Sequence, residues 1–509
     1  MASHLKTKII LLGLFVCVSI FLQLHHEPWR DEAQAWLIAR DIPNLPALFN
    51  QLRYEGAPVL WYLFLMPLAR SGLPMCSMAW LHIALILTAA TIFVWRAPFR
   101  ILTKAGVLFS YSLAFEYNVI VRSYALSVLF LFLVALTYRS RWKRPIIFGL
   151  LLALLAQTNV HSLVITLVMA VFFFWDLIRK PDILRREAMF VTVILIIGIG
   201  FAVFQLRPPK DIMPLLGSWN TDLSVGHLLV MPKVVMGAFI PIPIPMLHFW
   251  NTLQIFHALS FTLPRFPFLV GAILFTVTCV FFLGHRRAFF LYVLGTTALM
   301  TVFFLKYEGN LRHHGFFFIL FLVCLWIART DRDRPLVRWR IVKHPGLNVG
   351  LNGIFTLLIA VQVVAFAIAA YYEITSDFST AQRTAAFLKE RGWTDQDTFI
   401  VSYPSTAASA ILPHLDGSPS TFYYLEYGDA RSYMTWTAAS IRNADMSPGA
   451  IADAIDSAAV GRQAWRILFI TNQRITDATF LSRFTFVTAM SEAIVTDESF
   501  VIYQRKGKT

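Results

Sequence analysis

The sequence predicts a polytopic α-helical membrane protein, with about eleven to thirteen transmembrane helices of roughly 20 residues each, that ends in an extracytoplasmic α/β domain. Three observations predict it. The 509 residues are 57% hydrophobic and only 14% charged, where a soluble chain carries about a quarter charged residues. The basic residues, responsible for a net charge of +15, fall in short clusters between apolar runs (RAPFR, RSRWKR, RKPDILRRE, HRR, RTDRDRPLVRWRIVK), as in cytoplasmic loops under the positive-inside rule. After Tyr371 the composition becomes ordinarily polar. The clusters therefore report orientation and attraction to anionic lipid, not nucleic-acid binding. Cys17, Cys76, Cys279 and Cys324 lie in or beside apolar runs and suggest neither a disulfide framework nor a cysteine metal site.

Residues 9–24 follow Lys6 and Lys8 and run into Leu24-His25-His26-Glu27 without a small-residue cleavage site, so they read as an uncleaved first span. Ten more spans are expected at 76–95, 105–118, 121–138, 146–160, 162–178, 188–204, 266–284, 288–305, 316–328 and 349–371. An odd total puts the amino terminus in the cytoplasm and the carboxyl terminus outside. Residues 58–72 are short and flanked by proline, and are expected to be half-embedded. Residues 228–263 contain IPIPIPM, which is no ordinary helix interior, and are expected to line a cavity or lie in the interface. The intervals left outside are 25–57, 115–124, 157–162, 205–227 and 306–315. They hold the His, Asn, Glu and Arg that are not topology signals, so chemistry is expected on one face.

Residues 1–371 thus form the membrane domain and 372–509 a soluble one. The latter alternates helix-like STAQRTAAFLKERG and SPGAIADAIDSAAV with strand-like DTFIVSY, TFYYLEY, WRILFIT, FTFVTAM and SFVIYQR, which predicts a mostly parallel sheet. Its Tyr423, Tyr424, Tyr427 and Trp436 are either core or platforms for stacking on sugar.

Residues 25–57 form the first sizeable polar interval after the apolar opening, dense in ionisable side chains. WRDEAQAWLIARD has apolar positions at helical spacing and is expected to lie along the membrane surface. Neighbours on a helix point about 100° apart, so Asp31 and Glu32 divide their work: one is a base or metal ligand, the other positions substrate or an arginine. In YEGAPVLWY, Gly-Ala-Pro turns the chain back towards the bilayer. Glu55 lies at that boundary, and Trp61 and Tyr62 are interfacial anchors or substrate contacts. Arg122, in VIVRSYAL, either snorkels or offers its planar fork to a phosphate. His161 is similarly placed. Lys306, Arg312, His313 and His314 in KYEGNLRHHG make a compact cationic group suited to a phosphate or diphosphate.

These segments resemble the GT-C superfamily of polytopic glycosyltransferases, particularly the bacterial branch similar to protein O-mannosyltransferases and to the enzyme that transfers aminoarabinose to lipid A. The resemblance rests on a short amino terminus, one span and then Asp31-Glu32 in the first external loop. It continues in Glu55-Gly56-Ala57-Pro58-Val59-Leu60-Trp61-Tyr62, in Arg122-Ser123-Tyr124, in His161, and in Arg312-His313 before a late span. It implies a catalytic acidic pair, Asp31 and Glu32, and a polyprenyl-phosphate sugar donor. Many relatives carry His-Pro-Pro or Lys-Pro-Pro where this chain has Ala57-Pro58-Val59, so a replacement cation would come from His25, His26 or Arg53.

The expected function is inverting transfer of a sugar from that donor to a glycan, lipid or protein acceptor at the outer face of the bacterial cytoplasmic membrane. Asp31 is the expected base, with Glu32 orienting it or binding a metal. Arg122, Arg312 and His313 would take the donor phosphate, and Glu55, Trp61, Tyr62, Tyr124 and His161 would contact substrate. A divalent metal is allowed but not required. Two other classes compete: a transporter or lipid flippase, and a catalytically inactive glycan-assembly subunit.

Overall fold

The computed structural model describes the chain apart from residues 1, 179–184, 214–218, 255–265, 338–343, 416, 418, 463, 508 and 509. Parts of the RKPDILRRE and RTDRDRPLVRWRIVK clusters, of the 205–227 interval and of the 228–263 stretch therefore lie outside the described residues. The chain opens on α1 (Ala2–Gln23), which exposes Leu5, Ile9, Ile10, Leu14 and Phe21. So much apolar surface on one helix suits a lipid environment. The chain then folds into three short helices, α2 (Arg30–Asp41), α3 (Leu45–Glu55) and α4 (Leu60–Arg70). The Asn44 side chain caps α3 by accepting from the Ala47 amide at 2.9 Å. Gly56, at φ +60°, ends it in the left-handed conformation that only glycine adopts without strain. With 11 residues, α4 spans about 16 Å, half of a ~30 Å hydrocarbon core.

The bundle continues through α5 (Cys76–Arg96), α6 (Ile101–Leu108), α7 (Tyr124–Tyr138), α8 (Pro145–Ala156), α9 (Val160–Ile178) and α10 (Arg185–Leu206), then α11 (Val230–Phe239), α12 (Phe266–Val280), α13 (Arg286–Leu305), α14 (Leu311–Thr330) and α15 (Pro345–Thr375). Among the described residues, α1, α5, α9, α10, α13, α14 and α15 are long and apolar enough to cross a membrane, and shorter apolar helices accompany them. The chain is a helical protein of the multi-pass membrane type. Its centre is α14, buried almost throughout from Leu311 to Ile327, where Phe316, Phe317, Phe318 and Phe321 fill the space between neighbouring helices.

Three expectations need correction. The span expected at 105–118 is broken: α6 stops at Leu108, and Tyr111–Glu116 winds as a π-helix. Side chains satisfy the irregular backbone. Ser110 Oγ accepts from the Leu113 amide (3.2 Å), and Gln362 of α15 accepts from the Ser112 amide (3.3 Å). Second, α2 does not lie along a surface, because Glu32 through Ala39 are all buried. It is wedged between α4 and the carboxyl-terminal domain, so its middle is covered by protein while Asp31 and Asp41 at its ends stay partly exposed. Third, the carboxyl-terminal sheet is mixed.

That sheet has the order β3-β2-β1-β4-β6-β5, with β1 (Thr398–Ser402), β2 (Phe422–Tyr424), β3 (Asp429–Arg431), β4 (Arg466–Thr471), β5 (Phe484–Met490) and β6 (Phe500–Arg505). Only β1–β2 and β1–β4 run parallel, while β2–β3, β4–β6 and β5–β6 are antiparallel. The links after β2 and β5 are too short for the crossover of a dozen or more residues that a parallel pair requires. Side chains alternate between faces along each strand. Phe399, Val401, Phe469 and Tyr503 pack under α17 (Pro448–Ala459) and α18 (Ala478–Arg483). Ile400, Leu468, Ile470 and Ile502 pack beneath α16 (Ala381–Glu390) and belong to the same apolar core as Trp36 and Leu37 of α2. Tyr424 is fully buried, which makes it core.

Candidate active site

Asp31, on the first turn of α2, meets two arginines from distant segments. Its Oδ2 lies 2.5 Å from Arg122 Nη1 and 3.7 Å from Arg312 Nη2. Arg122 stands in the irregular segment before α7, and Arg312 on the first turn of α14. Burial works against the Asp31 charge, but Arg122 and then Arg312 outweigh it and hold the carboxyl below its ordinary range.

Glu32 points into the protein and is fully buried. Its Oε2 accepts from the Trp29 amide (2.9 Å) and lies 3.1 Å from His26 Nε2, while its Oε1 accepts from the Val121 amide. The other ring nitrogen of His26 lies 2.7 Å from Glu373 Oε1 at the end of α15. An imidazole with a carboxylate on each nitrogen is doubly protonated. Burial opposes that charge, yet Glu32 and Glu373 raise His26 well above the usual imidazole range. This chain of contacts ties α15, the first loop and residue 121 together, and so sets Arg122 opposite Asp31.

The guanidinium of Arg312 lies 5.2 Å from the ring centres of both Trp29 and Trp250, a cation–π cradle. Its Nε and Nη1 are buried without a hydrogen-bond partner among the described residues, and buried guanidinium N–H groups are costly to leave unpaired. Tyr117 fixes this turn by donating to the Arg312 carbonyl (2.8 Å). The close approach is open because residue 315 is glycine, whose added Cβ would fall 2.5 Å from that hydroxyl. His313 Nδ1 accepts from the Asn310 amide (3.0 Å), which leaves Nε2 to carry the proton. His161 stacks on His313 at 5.1 Å, between Phe303 and Phe316, and neither of its ring nitrogens has a hydrogen-bond partner among the described residues.

Glu55 Oε1 accepts from Gln34 (2.8 Å) and Gln51 (3.0 Å). Burial pushes its carboxyl up to about 7, against the lowering effect of the two amides. Asp31 and Arg122 both act on Glu55 electrostatically, and Tyr62 feels all three groups. Tyr124 packs edge-on to His313 at 6.1 Å. Trp61 does not join this group. It is buried edge-on to His82 of α5 at 6.0 Å, one helical step around from Tyr62. The carboxyl-terminal domain closes over α2: the Gln34 and Gln51 amides both donate to the Met434 carbonyl (2.8 and 2.7 Å). Arg30 pairs with Asp497, and the Phe378 ring packs tilted against His26 and edge-on to Trp250.

None of the cations expected to replace a basic residue at position 57 is aimed at Asp31. His26 is held by its two carboxylates, His25 bonds the Phe21 carbonyl (2.8 Å), and Arg53 donates to the Arg207 carbonyl (3.1 Å). The sequence reading missed Trp250, Glu373 and Glu116. Glu116 accepts from Tyr111 (2.6 Å) and Trp250 (3.1 Å) and faces the Arg312 charge. Glu116 was visible as an acid between apolar runs, whereas Trp250 sits in a proline-rich stretch with no local signal. Among the described residues no group of three or more His, Cys, Asp or Glu is arranged to hold a metal ion.

Fold and site define a multi-pass helical membrane protein with an arginine–carboxylate centre roofed by a sheet domain. A scan against protein-family models finds no match, and a search of curated proteins finds none either.

Proposed function

We propose that the chain is a membrane glycosyltransferase of the GT-C kind, with about eleven to thirteen crossings once the shorter apolar helices are counted. It moves a sugar from a polyprenyl-phosphate donor to a glycan, lipid or protein acceptor at the outer face of the bacterial cytoplasmic membrane, with inversion. The carboxyl-terminal domain stands on that outer side. The observation carrying this reading is the Arg122–Asp31–Arg312 cluster, with Arg312 presenting buried N–H groups that lack a hydrogen-bond partner among the described residues.

In a single displacement the acceptor hydroxyl attacks the anomeric carbon and the bond to the donor phosphate breaks. Polyprenyl phosphate leaves with the electron pair. The leaving group is already a phosphate, so it needs cations more than a proton. Arg122 and Arg312 supply them, and His313 Nε2–H adds a neutral donor. The acceptor proton goes to a carboxylate. Asp31, between two guanidiniums, stays ionised but is a weak base, whereas Glu55 at about 7 suits neutral pH better. Glu55 is therefore the base in this proposal, and Asp31 stabilises positive charge at the anomeric centre.

The test is incubation of the purified protein with a labelled polyprenyl-phosphate sugar and a membrane extract as acceptor source. Release of polyprenyl phosphate, lost in Asp31→Asn, is expected. Release that persists undiminished in Asp31→Asn defeats the site. No release from folded wild type with any donor sugar favours an inactive assembly subunit.

A further inference from the structure

At the end of the bundle remote from Asp31, four cations meet with no acid paired to them among the described residues. Lys8 of α1, Arg100 before α6 and Lys104 of α6 line a cavity of about 470 Å³ together with Thr7, Phe99 and Ile101. Arg329, at the end of α14, stands beside them with its guanidinium 4.7 Å from the Phe99 ring centre and repels Arg100. The distance from Arg312 to Arg329 along α14 is roughly 25 Å at 1.5 Å per residue, close to a bilayer core. This cluster and the Asp31 centre therefore lie at opposite membrane surfaces.

Lys104 is the unusual member. It is only 4% exposed, and among the described residues its amine donates to one acceptor, the Val94 carbonyl (2.7 Å). An ammonium has three N–H groups, and burying one without a counter-charge is costly. Lys8, 5.1 Å from the Trp95 ring centre, adds repulsion instead of relief. Two other cations at this end, Arg141 and Arg287, are neutralised. Arg141 pairs with Asp176 (3.4 Å) and Asp331 (3.3 Å), and Arg287 with Asp176 (3.2 Å). Among the described residues no ion pair joins Lys8, Arg100, Lys104 or Arg329 to a carboxylate. A topology signal alone calls for exposed lysines and arginines. It does not call for a lysine folded into a cavity with two other cations.

We propose that this cavity binds the phosphodiester of an acidic phospholipid. The phosphate sits among Lys8, Arg100 and Lys104, and the acyl chains run past the exposed Trp95 and Leu102. The site is independent of the proposed transfer reaction, because none of its residues reaches the Asp31 centre.

Native mass spectrometry on the purified full-length chain tests it, with phosphatidylglycerol, phosphatidylcholine and inorganic phosphate titrated separately. Phosphatidylglycerol is expected to bind at least about tenfold more tightly than phosphatidylcholine, and millimolar phosphate is not expected to displace it. Each cation removed should cost roughly fivefold in affinity. Lys104→Met should therefore lower the preference and Lys104→Arg should keep it. The double variant Lys8→Gln/Arg100→Gln alters side chains at the cavity mouth and carries the test if Lys104→Met fails to fold. Arg383→Gln, in the sheet domain, should change nothing. Equal binding of the two lipids, an unchanged preference in the double variant, or competition by inorganic phosphate at matched concentration would each overturn the lipid assignment.

Discussion

The Asp31 carboxylate faces the Arg122 guanidinium at 2.5 Å, with Arg312 behind it at 3.7 Å. About a third of Asp31 and a quarter of Arg122 remain exposed (32% and 27%). A pair this accessible contributes ~0–1 kcal/mol to stability, whereas charges aimed at a transition state are worth about 10²–10³ in rate. Asp31→Asn and Arg122→Gln are each expected to cut sugar transfer by that factor while thermal unfolding shifts little. The double variant should lose little more than the worse single one, since both act on one centre. Fully additive losses in steady-state kinetics would separate the two residues.

Glu55 predicts the pH dependence. A base with a carboxyl at about 7 must be deprotonated, so transfer should rise with pH through about 7 and level off above it. In Glu55→Gln that limb should vanish along with most of the activity. Stability should run the other way. The folded carboxyl sits above its ordinary 4.5, so its stabilising contribution is full below about 4.5 and disappears as pH climbs through about 7. Glu27 adds a change of the same sign, also near 7. Thermal unfolding followed from pH 4.5 to 8 should show falling stability, with a shallower slope in Glu55→Gln.

Glu32 is expected to matter through architecture. Glu32→Ala would strip His26 of one carboxylate and orphan the Trp29 and Val121 amides. Breaking a buried charged pair costs about 3–5 kcal/mol. Denaturant unfolding should register that loss, and hydrogen exchange should speed up at residues 118–122. A loss below ~1 kcal/mol would show that Glu32 does not hold this junction.

Trp250 should tune donor binding. Trp250→Ala removes one face of the Arg312 cradle, worth ~0.5–2 kcal/mol, or about 2- to 30-fold in KM for the labelled donor, with a smaller change in kcat. Trp250→Phe should recover part of it. A change confined to kcat would argue that the ring does not position the Arg312 guanidinium for the proposed donor phosphate.

Part of this was legible one segment at a time. The apolar runs announce themselves because a membrane helix needs consecutive apolar residues and little else. The five strands expected after Tyr371 appear in the sheet at β1, β2, β4, β5 and β6, because alternation along a strand is local. Asp31, Arg122, Arg312 and His161 stood out as polar groups in apolar surroundings. Helix starts were less legible. Arg312, His313 and His161 lie in first turns that begin ahead of the expected spans, because polar residues are tolerated there once neighbouring helices cover them.

The amino-acid sequence by itself determined that the chain is built for a membrane, that a more polar segment follows its last long apolar run, and which polar residues needed an explanation. Only the tertiary structure decided how those residues share the work. Asp31 and Glu32 are adjacent, yet one faces two arginines and the other disappears into the packing. Which direction each side chain takes depends on α14, α15 and the sheet domain closing around α2, partners that are distant in sequence and leave no mark within WRDEAQAWLIARD.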